Sequence, residues 1–266
     1  MSLTLHSTLK LNDGRLHPRL GFGVWQSPQD VCKQSVLSAL DVGYRCIDTA
    51  QVYGNEVQVG EAVREFIKSG KATREEIWVT TKMPRPLENM DKTLAALKDS
   101  VDRIGLGYVN LFLIHSPADS KEDRALHWSA MQRLQKQGLA KSIGVSNYQT
   151  EHLEEIKDSG VVPAVNQIQL HPFSQQRALV DYCKQNKIVL EAYSPMNHGR
   201  GFDNAVLQRL SQSHGVDIGQ LLVRWCLQKG FAPLPKSDRP KRIQSNSEVF
   251  GFALSSQEIS ELDALG

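Results

Sequence analysis

The run Asp48-Thr49-Ala50-Gln51-Val52-Tyr53-Gly54-Asn55-Glu56 lies between two patterns of different period. Before it, Arg45-Cys46-Ile47 reads as the end of a short buried strand. After it, apolar residues at Val59, Ala62, Val63, Phe66 and Ile67 follow helical spacing as far as Ser69. Asp48 and Tyr53 therefore fall where a strand hands over to a helix. Parallel α/β proteins gather their chemistry at that end of the strand. A phenol titrates at about 10, too high for easy proton exchange at neutral pH. A working Tyr53 needs a cation beside it, and the cation needs a carboxylate to hold it. Asp48 suits that second role. A plainer reading also fits, with Asp48 capping the helix and Tyr53 packing over it.

Outward from this unit the pattern repeats. Short apolar strands are expected at Gly21 to Val24, Arg45 to Asp48, Ile77 to Thr81, Val109 to Ile114, Ser142 to Val145, Ala164 to Gln169, Val189 to Tyr193 and Phe231 to Leu234. Helical periods lie between them, at about 90–104, 122–137, 150–158, 175–186, 203–214 and 217–229. Ser27 is the expected N-cap of a helix opening at Pro28 and closing at Gly43, and a terminal helix is expected from Ser256 to Leu265. Ahead of the first strand, Asn12-Asp13-Gly14 marks the turn of a small hairpin between Ser7 and His17. No linker rich in Gly, Ser or Pro divides the chain. Eight βα units in one domain, residues 1–266, predict an α/β fold of the closed (β/α)8 TIM barrel type with an N-terminal β-hairpin. A doubly wound sheet would need a glycine-rich phosphate turn after its first strand. Gly21-Phe22-Gly23 lacks the third glycine of that turn.

Composition excludes several classes. A net charge of +2 over 266 residues gives no basis for nucleic-acid binding. The four cysteines, Cys32, Cys46, Cys183 and Cys226, form no CxxC pair, so the expectation is reduced thiols in a cytoplasmic protein, with no metal site. The first residues lack a signal-peptide pattern, and no apolar run is long enough to span a bilayer.

A barrel collects its active-site residues at the C-terminal ends of different strands. The third strand leads into Lys82 and the fourth into His115. With Asp48 and Tyr53 after the second, four polar residues meet on one rim. A buried Lys82 held by Asp48 would lower the Tyr53 pKa, and His115 would hydrogen-bond a substrate oxygen beside the phenol. That set suits proton donation to a carbonyl oxygen during reduction.

The chain resembles the aldo-keto reductases over nearly its whole length. The resemblance rests on Gly21-Phe22-Gly23-Val24-Trp25, Asp48-Thr49-Ala50 through Tyr53-Gly54-Asn55-Glu56, Thr81-Lys82, Leu113-Ile114-His115-Ser116-Pro117, Gly144-Val145-Ser146-Asn147, Asn166-Gln167, Tyr193-Ser194-Pro195 and Leu234-Pro235-Lys236-Ser237. Their order and spacing together are specific. The resemblance implies a catalytic tetrad of Asp48, Tyr53, Lys82 and His115. It implies NADPH/NADP+ as cofactor, bound without a Rossmann fold. Ser146, Asn147 and Gln167 match residues that hold the nicotinamide carboxamide, and Tyr193 matches the aromatic that stacks on its ring. Ser194-Pro195-Met196-Asn197 begins the loop passing the pyrophosphate. Lys236, Ser237 and Arg242 match residues gripping the adenosine 2′-phosphate, Arg239 stands among them, and Asn246 matches an adenine contact. Ser245 departs from the usual glutamate. Outside the barrel context, Tyr193 would suit a core aromatic, Ser146-Asn147 a helix cap before Glu151, and the basic run a solvated surface turn.

On the substrate side the resemblance implies Trp25, Tyr53, Pro84, His115 and Ser116. Relatives often carry tryptophan at the positions of Ser116 and Pro84, and longer ones have a C-terminal loop over the pocket. The chain is similar to the shorter microbial-type members, such as the diketogluconate reductase and prostaglandin F synthase groups. The expectation is a monomeric reductase of small aldehydes and dicarbonyls. The competing expectation is a nucleotide-binding regulatory or structural relative with little turnover, against which the intact tetrad argues.

Overall fold

The computed structural model describes residues 3–83, 87 and 89–266. The hairpin forms as expected, β1 (Thr8–Lys10) pairing antiparallel with β2 (Leu16–Pro18). Its turn needs Gly14, whose φ is +90°. Eight strands follow: β3 (Phe22–Gly23), β4 (Cys46–Asp48), β5 (Trp78–Met83), β6 (Val109–Ile114), β7 (Ala140–Ser146), β8 (Val165–Gln169), β9 (Val189–Tyr193) and β10 (Ala232–Leu234). They lie side by side in chain order, and every neighbouring pair is parallel. Two hydrogen bonds join the first strand to the last. Gly21 N–H donates to the Pro233 carbonyl at 3.1 Å and Gly23 N–H to the Pro235 carbonyl at 3.0 Å. Neither proline has an N–H to return, so the seam of the barrel is one-directional. Close approach needs Gly21, because a Cβ there would come within 2.5 Å of the Leu234 side chain.

Helices alternate with the strands: α1 (Gln29–Asp41), α2 (Glu56–Lys68), α3 (Met90–Ile104), α4 (Lys121–Lys136), α5 (Thr150–Lys157) and α6 (Arg177–Gln185). Two, α7 (Ala205–His214) and α8 (Ile218–Gln228), separate β9 from β10, and α9 (Pro240–Ser245) and α10 (Ser256–Asp263) follow. Local sequence sets several of their ends. Asn89 caps α3 by accepting from Lys92 N–H, and Gly105, left-handed at φ 66°, ends it. Capping boxes open α8 at Asp217 and Gln220 and α10 at Ser255 and Glu258.

Apolar packing divides into two clusters. The larger lies between strands and helices, where the apolar stripe of each helix covers the barrel wall. The smaller fills the barrel floor with Leu11 of the hairpin, Cys46, Trp78, Leu111, Leu113 and Val165. Gly144 is required there, since its Cβ would lie 2.5 Å from the Val165 carbonyl and 2.8 Å from Leu113. With the floor largely plugged, the open cavity lies towards the other rim.

One local expectation is corrected. Ser27 does not cap α1; the cap position is Pro28, without a side-chain hydrogen bond. The Ser27 hydroxyl donates instead to Asp238 at 2.5 Å, because a carboxylate is the stronger acceptor within reach. The basic run after β10 enters α9, with Pro240 at its first position.

Candidate active site

Asp48 ends β4, and a short 3-10 turn, Gln51–Tyr53, brings the phenol back over it. Gly54, left-handed at φ 68°, closes the turn. Asn55 anchors the segment: its amide donates to the Val24 and Ser27 carbonyls at 3.0 and 3.2 Å and accepts from Thr49 Oγ1 at 2.7 Å. Lys82 is the inward residue near the end of β5. His115 follows β6, its N–H bonded to the Met83 carbonyl at 2.8 Å.

These four side chains converge. Lys82 Nζ donates to Asp48 Oδ1 at 2.6 Å, to the Thr49 carbonyl at 3.0 Å and to Tyr53 OH at 3.3 Å. The Tyr53 and His115 rings meet edge to face, centroids 5.7 Å apart. Burial opposes the charge on Lys82, but Asp48 and Tyr53 outweigh it and hold the ammonium above its usual range. Burial pushes Tyr53 upward, with Lys82 drawing it down against that. Lys82 lowers the phenol as expected, and desolvation of the phenolate raises it more. Burial and then Lys82 depress His115 to about 4, so its imidazole is neutral at pH 7. Among the described residues its buried Nδ1 has no hydrogen-bond partner.

A cavity of about 910 Å³ opens over this group. Trp25, Tyr53, His115 and Ser116 line one part of it. Ser146, Asn147, Gln167, Tyr193, Ser194, Pro195, Met196, Lys236, Ser237, Arg242 and Asn246 are also among its lining residues. Ser146 Oγ donates to the Gln167 carbonyl at 2.7 Å. Asn147, left-handed at φ 60°, sends its amide to the His115 carbonyl at 2.9 Å and accepts from Tyr193 OH at 2.9 Å. Neither Ser146 nor Asn147 caps α5, a role taken by Gln149. Of the expected cofactor contacts, Asn197 and Arg239 do not line the cavity; Arg239 is exposed. Pro84 lies outside the described residues. Lys82 is fully buried beneath the cavity rather than on its wall.

Other residues of the site were not legible as such. His198 packs against Trp25, ring centroids 5.6 Å apart, through a left-handed turn after β9. Gly219, near the start of α8, keeps the wall open; a Cβ there would meet Met196 Sδ at 3.3 Å and Asn246 Oδ1 at 3.7 Å. Under the site, Glu191 and His17 continue a buried chain of hydrogen bonds from Gln167. A charge inside the apolar run of β9, two positions before Tyr193 and so on its face, was the available signal. The donor atoms of His17, Cys46 and Glu191 lie within 4.8 Å of one another. However, the imidazole and carboxylate bond each other, and burial holds the thiol well above its usual range, so the trio is polar packing rather than a cation site.

The cavity suits a dinucleotide. It presents an aromatic face at Tyr193, an acceptor at Gln167 and a guanidinium at Arg242 whose side chain bonds no described residue. Lys236 differs: it is paired with Asp238, which also accepts from Ser27 and Ser35.

Comparison with known proteins points to one family. The model of the aldo/keto reductase family matches residues 19–266. The chain is 40% identical to a glyoxal reductase of Bacillus subtilis, over 100% of this chain and 95% of the relative. It is likewise 40% identical to methylglyoxal reductase DkgA of Escherichia coli, over 97% and 93%. A crystal structure of an aldo/keto reductase from Brucella melitensis superposes with a TM-score of 0.91 at 39% identity, covering 97% of this chain and 99% of that one.

Proposed function

The chain belongs to the aldo/keto reductase family, an oxidoreductase family of carbonyl compounds, and on that premise we propose that it is an NADPH-dependent reductase of small aldehydes and α-dicarbonyls with Tyr53 as proton donor. The observation that carries this reading is the Asp48–Lys82–Tyr53 chain, ending in a phenol on the cavity wall. NADPH, held by Ser146, Asn147, Gln167 and Tyr193 at one end and by Arg242 at the other, supplies a hydride when bound.

The residues of the chain handle the proton. Tyr53 OH, kept protonated by burial, donates to the carbonyl oxygen as negative charge develops there. Lys82, held charged by Asp48, faces the phenolate oxygen that this step leaves. Neutral His115 offers Nε2–H to the same carbonyl oxygen and so orients it. Trp25 and His198 form the apolar edge of the mouth, and Ser116 leaves space where a larger side chain would stand. The relatives named glyoxal and methylglyoxal reductase support the small-dicarbonyl assignment.

The test is NADPH consumption by the purified chain with glyoxal, methylglyoxal, bulky aldehydes, keto-sugars and quinones. Turnover of the small dicarbonyls is expected. Cofactor binding without turnover of any carbonyl would overturn the reading in favour of a regulatory or structural role.

A further inference from the structure

Glu191 is the charged residue of β9 and is fully buried. Both its oxygens are engaged. Oε2 accepts from Gln167 Nε2 at 2.7 Å, and Oε1 meets His17 Nε2 at 2.8 Å. The same Gln167 nitrogen donates to Asp48 Oδ2 at 2.9 Å. A continuous chain therefore runs from the barrel floor to the phenol: His17, Glu191, Gln167, Asp48, Lys82, Tyr53.

Two consequences follow from donor and acceptor counts. An amide nitrogen has two hydrogens, and two carboxylates take both from Gln167. Its Oε1 bonds no described residue, and Gln167 lines the cavity, so the amide presents an acceptor there. The second consequence is electrostatic. Lys82 is the cation bonded to Tyr53 OH, and its attraction favours the phenolate. Among the described residues, the other titratable groups near the phenol or behind it are His115, Tyr193, Asp48 and Glu191. Asp48 pairs with Lys82, and Glu191 adds a second buried carboxyl group facing the amide of Gln167 and the ring of His17, with the Cys46 thiol beside it. His17 is wedged edge-on against Trp78, ring centroids 4.8 Å apart, which fixes Glu191 from below.

We propose that Glu191 is a positioning residue of this site: it clamps the Gln167 amide and, as a second carboxylate behind Asp48, keeps the Tyr53 phenol in its proton-bearing form as the pH rises. This rests on the reading of Tyr53 as proton donor. The balance is of like and unlike charge. Lys82 pulls the phenol towards ionisation, and Asp48 and Glu191 push it back, adding to the effect of burial. Without Glu191 the lysine would meet less opposition.

Glu191→Gln keeps the size and an acceptor for Gln167 but removes the charge. The direct readout is tyrosinate absorbance of the cofactor-free protein during alkaline titration, with Tyr53→Phe backgrounds subtracted so that only Tyr53 is followed. Tyr53 should ionise measurably lower in Glu191→Gln than in the wild type, as expected when a buried like charge behind Asp48 is removed. Glu191→Asp should return it towards the wild-type value. The alkaline limb of carbonyl reduction should move down with the titration. Equal ionisation of Tyr53 in wild type and Glu191→Gln would overturn the proposal. Should Glu191→Gln fail to fold alone, the double variant His17→Gln/Glu191→Gln, which replaces the buried pair by two amides, tests the same point against His17→Gln. Tyr53 should ionise lower in the double variant than in His17→Gln, and equal ionisation in the two would overturn the proposal. The titration needs no turnover, so a chain that reduced no carbonyl would sink the functional reading and leave this measurement decisive on Glu191.

Discussion

Lys82 Nζ lies 2.6 Å from Asp48 Oδ1, with the two side chains 0% and 5% exposed. A pair this deep is held by mutual need: each charge is tolerated in the barrel only because the other is there. Asp48→Asn should therefore lower unfolding free energy by about 3–5 kcal/mol, because it leaves a buried ammonium without its counter-charge. It should also slow carbonyl reduction, since Lys82 loses the group that orients it. Urea unfolding and steady-state kinetics check this. A variant as stable as the wild type would show that the pair is not what holds Lys82.

Tyr53→Phe removes one oxygen and little packing. The ring stays against His115 and beneath the Lys82 cation. NADPH affinity should stay within a few-fold, while kcat falls by about 10²–10⁴, the usual contribution of a general acid. Retained turnover of an aldehyde would move the proton-donor role elsewhere.

The cation cluster makes a graded prediction. Arg242 is uncommitted on the cavity wall, whereas Lys236 is neutralised by Asp238. Arg242→Met should weaken NADPH binding by about ten- to a hundredfold, the worth of one charge-assisted contact, and NADH binding far less. Asp238→Asn should free Lys236 and tighten NADPH by up to about tenfold with NADH unchanged. Fluorescence titration of both cofactors decides it; equal effects on the two would remove the 2′-phosphate from this cluster.

Ser116 lines the cavity beside His115, with its hydroxyl donating to the His115 carbonyl at 2.8 Å. Ser116→Trp should cut kcat/KM for bulky aldehydes by about tenfold or more while sparing the smallest dicarbonyl, because pocket shape discriminates by that order. Uniform loss across the panel would place residue 116 away from the substrate.

Stability should fall on mild acidification. Burial depresses His115, His127 and His171 to about 4. The same rings titrate at about 6.5 once unfolded. Between these values the unfolded chain binds more protons than the folded one. Stability is thus complete above pH 6.5 and declines as pH drops towards 4, with each ring contributing at most about 1.4 kcal/mol per pH unit. His127 is fully buried, and neither ring nitrogen bonds a described residue. His127→Leu should flatten the decline and raise the melting temperature at about pH 5 without altering turnover, because an unbonded buried polar group costs roughly 1–3 kcal/mol. Melts across that pH range measure both effects.

The Asp48–Glu56 stretch shows how much the sequence carried. A change of period from 2 to 3.6 placed Asp48 and Tyr53 at a strand end, and repetition of that change located eight strands to within a few residues. Order in sequence became order in the sheet, because parallel strands joined by short crossovers lie beside their neighbours. Lys82 and His115 were readable on the same ground. Ser27 was misread because its serine-proline pattern fits a cap equally well, and a carboxylate 211 positions away took the hydroxyl.

What the sequence by itself determined is therefore whatever depends on near neighbours: the strand ends, the helical faces, most of the caps, and the residue types carried to the rim. Only the tertiary structure decided which charges meet. His17 and Glu191 are 174 positions apart, and Gln167 and Asp48 are 119 apart. No local pattern encodes those pairings, because they arise when the barrel closes and excludes water. The same closure decides the state of Tyr53, for the balance between desolvation and the Lys82 charge exists only once both groups are buried at a fixed distance.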